Sequence, residues 1–188
     1  MKVIYTLETV TDTEKIIYLA GPTYRITEGS KPPDSWRVEA IKELEAQGFT
    51  GNVVTPEWRD KIRPKDWTYS RQLDWENEYL KKAAVILFWI PRSMADLPGL
   101  TTNIEFGEWM QSDKIVVGFP KTAEKMQYIH EKCLRLKIPL TGVLRDVVIL
   151  ALNKLYLMSV VISKTWLSKT WFTADTHFSH QRTLELSQ

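Results

Sequence analysis

The sequence predicts an α/β fold of three layers, a parallel sheet with helices on both faces, and three observations carry that prediction. Apolar runs alternate along the chain with segments of helical periodicity. The run from Ala83 to Ile90 is apolar at every position and stops at Pro91, which is how a strand covered on both faces of a parallel sheet reads. Finally, 188 residues, 44% of them apolar, suffice for one domain of ordinary size and leave no room for a second complete one.

The elements follow in order. Residues 16–20, IIYLA, are the first strand. Asp34 and Ser35 cap a helix over 35–47, and Gly48 stops it. A short second strand occupies 52–55, a helix 69–82, and the third strand 85–90. The third helix is expected over 102–111 and the fourth strand over 115–119. Pro120 and Lys121 lead into a helix over 122–136, residues 138–140 give a short fifth strand, and 144–157 the last helix. This βαβα order makes the sheet parallel and five-stranded, because each crossover returns the chain in the same direction.

Charge narrows the function. The net charge is +2 with both signs mixed along the chain, so the electrostatic footprint of a nucleic-acid binder is missing and a small ligand is expected. The single cysteine, Cys133, excludes an internal disulfide framework and fits a reducing compartment. The opening MKVIYTLETVTDTEK has acidic and polar residues where a secretory leader needs an unbroken apolar run, which reads as cytoplasmic. Residues 143–162 are interrupted by Arg145, Asp146, Asn153 and Lys154, so no membrane partner is expected.

Candidate site residues gather behind the strands. Ligands of open α/β sheets bind beyond the carboxyl ends of strands. There the sequence sets Gly21, Pro22, Thr23, Tyr24 and Arg25 after the first strand, Trp58 after the second, and the loop 92–102 after the third. Glu105 stands at the expected entrance of the third helix with Asn103 beside it, where a helix N-terminus favours an anion. Thr102 to Glu105 also fits a capping box, with Glu105 returning to the Thr102 backbone. Gly21-Pro22 reads equally as a turn, Trp58 as a core residue, and Asn103 as a helix-start residue. The loop 25–34 is polar and carries Gly29, Pro32 and Pro33, as a cover over a site or an inert connection would. On the second helix Asp74 and Glu78 share a face and Glu76 projects elsewhere, so only one face can look into a pocket.

Four blocks occur together: IIYLAGP at 16–22, SWRVEAIKELEAQGFTGNVVTPEW at 35–58, DWENEYLKKAAVILFWIPR at 74–92 and PGLTTNIEFGEW at 98–109. In their order and separation they resemble the nucleoside 2-deoxyribosyltransferase-like family, over about residues 16–155. The resemblance implies a flavodoxin-like (Rossmann-like) domain over 1–158 that cleaves and transfers the N-glycosidic bond of (deoxy)nucleosides. It makes Glu105 the nucleophile and Glu76, with Asp74 second, the acid that meets the base. It lines the nucleoside pocket with the loop after the first strand, and it implies a homo-oligomer. The partners are then a nucleoside or nucleotide and a free nucleobase, with no cofactor, since the reaction needs two differently tuned acids and no metal. A hydrolase of nucleoside 5′-monophosphates, gripping phosphate through Arg25 or Lys31, is the neighbouring expectation. A silent nucleotide-binding or scaffold module is the one from another class.

The tail 159–188 contains WFTADTHFSH, which resembles the opening metal motif of calcineurin-like metallophosphoesterases. Asp175, His177 and His180 are its candidate ligands. A dinuclear site needs further ligands that this chain lacks, so an incomplete remnant is expected.

Overall fold

A computed structural model of the protein describes residues 1–10, 15–24 and 34–158. Its strands are β1 (Lys2–Ile4), β2 (Ile16–Ala20), β3 (Asn52–Val54), β4 (Val85–Trp89), β5 (Ile115–Gly118) and β6 (Leu140–Thr141). The helices are α1 (Trp36–Ala46), α2 (Tyr69–Lys82), α3 (Leu100–Trp109), α4 (Gln127–Leu136) and α5 (residues 144–158). Met1–Lys154 make one unit and Leu155–Gln188 fall in a second.

All six strands pair in parallel, in the order β1-β3-β2-β4-β5-β6. Counted from β2, this is the 2-1-3-4-5 order of flavodoxin-like sheets, whose ligands sit where the order reverses. That switch point lies between β2 and β4. The sheet therefore has six strands rather than the expected five. The addition, β1, pairs with the outer edge of β3, Val3 opposite Val53. Three residues give no period to read, so pairing, not pattern, makes this strand.

Alternation along the strands divides the core into two layers. Tyr18, Ile86, Phe88, Ile115 and Val117 face Trp75, Tyr79 and Leu80 of α2, Phe106 of α3, and Ile129 and Cys133 of α4. The residues between them, Ile17, Leu19, Val85, Leu87 and Val116, are fully buried on the other face, as are Ala40 and Leu44 of α1 and Val147 and Ala151 of α5. Arg145 of α5 pairs with Glu43 of α1 at 3.3 Å, tying the helices of that layer together.

Two helix starts differ from expectation. α3 begins at Leu100 because Gly99 takes the left-handed conformation, φ 61°, ψ 47°, and acts as its N-cap. Thr102 is therefore inside the helix, not its cap, and is buried. α4 begins at Gln127 rather than 122, since Lys125 has φ 55°, which no helix interior accommodates. Among the described residues no helix is long and apolar enough to cross a membrane.

Candidate active site

A cleft of about 740 Å³ opens at the carboxyl ends of β2, β3 and β4. Its walls are two helix faces. From α2 come Tyr69, Gln72, Leu73, Glu76, Asn77 and Leu80, spaced by three and four as one helical face must be. From α3 come Leu100, Thr101, Ile104, Glu105 and Glu108. The floor is Gly21, Pro22 and Thr23 after β2, with Pro56 after β3 and Pro98 and Gly99 before α3.

The floor packs against the strand next door. A Cβ on Gly21, whose φ is 149°, would lie 2.2 Å from the Trp89 carbonyl oxygen and 2.8 Å from the Trp36 ring. The close approach of the β4 backbone therefore requires a glycine here. Beneath it, the guanidinium of the fully buried Arg37 donates to the carbonyls of Leu19 at 3.2 Å and Gly21 at 2.6 Å, to Thr23 Oγ1 at 3.1 Å, and to Glu57 at 3.2 Å. The Trp36 indole holds the Pro22 carbonyl at 3.0 Å. The loop floor is thus fixed from below by α1.

Glu76 and Glu105 face this space from opposite walls. Burial pushes the Glu105 carboxyl up to about 7; the charge of Glu76 adds to this, Arg37 opposes it, and Glu108 adds again. Glu105 is the sixth residue of α3, away from its first turn, so the expected stabilisation of its anion by the helix N-terminus gives way to desolvation. Glu76 is raised by burial as well, against a hydrogen bond from Gln72 and the charge of Arg37. The Tyr18 hydroxyl lies under both carboxylates; burial and their two charges push its ionisation well above 10, against Arg37. That hydroxyl is buried without a partner. Two carboxyls with raised proton affinity thus face one cleft, an arrangement in which one can act as base or nucleophile and the other as acid.

The other candidates are placed differently. Asp74 is exposed on the outer face of α2, and Glu78 there pairs with Lys82. Asn103 points away from Glu105, its Oδ1 accepting from Arg92 Nη2 at 2.5 Å. Trp58 meets Trp67 edge to face, centroids 5.9 Å apart, with the Arg63 guanidinium 4.7 Å and 4.5 Å from the two rings. Neither Asp74, Asn103, Trp58 nor Tyr24 is among the described lining residues. Arg25 and Lys31 lie outside the described residues, as do Asp175, His177 and His180. Among the described residues no group of three or more His, Cys, Asp or Glu is gathered as a metal would need.

Sequence reasoning missed Arg37, Tyr18 and Gln72. Arg37 left a signal, a charge inside the stripe Trp36, Arg37, Ala40, Leu44 that α1 buries. Tyr18 left none, because a tyrosine in a strand looks like core.

A family model described as "Nucleoside 2-deoxyribosyltransferase like" matches residues 14–123, the span that holds every described residue of the cleft. The match ends before α4 and does not extend to the tail resembling a phosphoesterase motif. No curated protein matches the chain.

Proposed function

The chain belongs to the nucleoside 2-deoxyribosyltransferase-like family, and from that premise we propose that it cleaves the N-glycosidic bond of a (deoxy)nucleoside and transfers the sugar through a covalent ester on Glu105. The observation that carries this reading is the pair of raised carboxyls, Glu76 and Glu105, on the facing sides of α2 and α3.

The reaction uses them in turn. Ionised Glu105 attacks C1′ while the C1′–N bond breaks and its electron pair leaves with the base. Glu76, the less strongly raised of the two, has to hold the pair's proton once Glu105 meets the sugar, and it gives that proton to the departing nitrogen. An acceptor base then enters from the same face, gives its N–H proton to Glu76, and displaces Glu105 from C1′. Two inversions return the sugar with retained configuration, and water in place of the acceptor gives hydrolysis. Asp74, exposed on the far side of α2, is the weaker candidate for the acid.

The described walls carry Glu76, Glu105 and Glu108 and no lysine, arginine or histidine, which supports an uncharged nucleoside over a nucleotide. A 5′-monophosphate would meet repulsion from these carboxylates unless Arg25 or Lys31 offset it.

Incubation with a 2-fluoro nucleoside analogue, which slows the second displacement, is expected to leave a sugar on Glu105 detectable by mass spectrometry. Glu105→Ala should lose the adduct and about a thousandfold or more in turnover. A wild-type protein that binds nucleosides without adduct or turnover, equally well in Glu105→Ala, would be a binding module instead.

A further inference from the structure

We propose that Gln72, held by Trp67, is a positioning residue for Glu76: it engages Oε1 of that carboxyl and leaves Oε2 as the oxygen that exchanges a proton with the base. The second half of this rests on the glycosyl-transfer reading; the first does not.

The geometry is a directed relay. The Trp67 indole Nε1 donates to Gln72 Oε1 at 2.6 Å, and Gln72 Nε2 donates to Glu76 Oε1 at 2.7 Å. An indole N–H can only donate, so it determines which end of the amide turns toward it. The amide nitrogen is thereby turned to Glu76, where it can give a hydrogen bond and cannot receive one. An oxygen that accepts an N–H is the poorer site for the acid proton, so protonated Glu76 carries its hydrogen on Oε2.

Trp67 is itself held in place. Arg63 lies over its ring at 4.5 Å and over Trp58 at 4.7 Å, the Trp67 amide donates to the Pro64 carbonyl at 3.1 Å, and Arg71 of α2 bonds the carbonyl of Asp66 at 2.6 Å. The next residue, Thr68, caps α2 through the Arg71 amide at 3.2 Å. The segment between β3 and α2 therefore ends by presenting one N–H to Gln72. Gln72 stands one helical turn before Glu76 on the cleft face of α2. Trp58 belongs to this support rather than to the cleft wall.

Donation to a carboxylate favours its charged form, so loss of Gln72 should raise the midpoint at which Glu76 titrates. The other groups that bear on that midpoint are Tyr18 of β2, Arg37 of α1 and Glu105 of α3. The test is carboxyl 13C NMR of glutamate-labelled protein, with Glu76 assigned through Glu76→Gln. In Gln72→Leu the Glu76 midpoint should rise by about one pH unit. Trp67→Phe keeps an aromatic ring beside Arg63 but takes away the indole N–H, so the amide can turn its oxygen to protonated Glu76 and the midpoint should rise too. The pH profile of base release should move with it. An unchanged midpoint in both variants, each folded by circular dichroism, overturns the relay. A shifted midpoint in a protein that forms no sugar adduct supports the positioning of Glu76 while removing the reaction assigned to it.

Discussion

At Glu105 the demands of stability and of chemistry oppose each other on one carboxyl. Its ordinary value is 4.5 and burial holds it at about 7, so the folded state keeps a proton that the unfolded chain has released. Stability from this group is therefore highest at low pH, declines as pH rises from about 4.5 to about 7, and is level above that. Glu105→Gln, the same shape without the charge, should match the wild type near pH 5 and exceed it at pH 8 by about 2 to 3 kcal/mol in urea denaturation. On the proposed reaction the same ionisation would set the acid limb of kcat/KM, which should then fall about tenfold per pH unit below about 7 as the attacking anion is lost. The sequence put Glu105 and Glu76 among the candidates and the structure sets both on the cleft. It set Asp74, Asn103 and Trp58 there too, and these turn elsewhere, since which way a side chain points depends on the exact start of its helix and on its tertiary partners. Arg37 shows the converse case, a charge buried in a helix stripe whose carbonyl acceptors appear only once the loop after β2 has closed over it.

Among the elements, the described start of the loop after β2, Gly21 to Thr23, is held closely from both sides. Its first residue, Gly21, has a backbone conformation that L side chains rarely adopt, and a methyl there would overlap the β4 backbone, which cannot retreat without breaking its pairing to β2 and β5. Gly21→Ala should cost about 3 kcal/mol or more, read as a lowered midpoint in thermal or urea unfolding. Gly48, with open space around its α-carbon, is the internal comparison: its own positive φ of 76° predicts a smaller loss, about 1 kcal/mol, from strain alone. The start of α3 turned on a similar point. Its capping-box pattern is real as spelling, but the left-handed Gly99 starts the helix earlier and carries Thr102 and Glu105 into its interior. Local sequence offered the start at Thr102, and packing of Gly99 against Pro22, where an added Cβ would lie 3.1 Å from the proline's, is a long-range contact no short window contains.

For the molecule as a whole, the α/β architecture was readable because each apolar run and each helical period spans enough residues to be distinguished from the other. The shortest pieces were less so: β6, two residues long, was expected slightly early at 138–140, and β1, with three residues, was missed; both exist through the strand beside them. β1 nevertheless belongs to the core. Ile4 is 1% exposed, the carbonyl of Glu8 accepts from the Trp75 indole at 2.7 Å, and the Val10 amide donates to the Tyr79 hydroxyl at 2.8 Å. The N-terminal segment is thus fastened to α2, the helix that carries Glu76. Ile4→Ala should cost about 3 kcal/mol in urea denaturation, as for a core residue and unlike a frayed terminus. The floor of the cleft has a different bearing. Since the carbonyls of Gly21 and Pro22 are engaged from beneath by Arg37 and Trp36, the course of the chain along that surface is fixed. Divergence toward new ligands in proteins built this way would have to be written on the two facing helices, with the base of the pocket inherited unchanged.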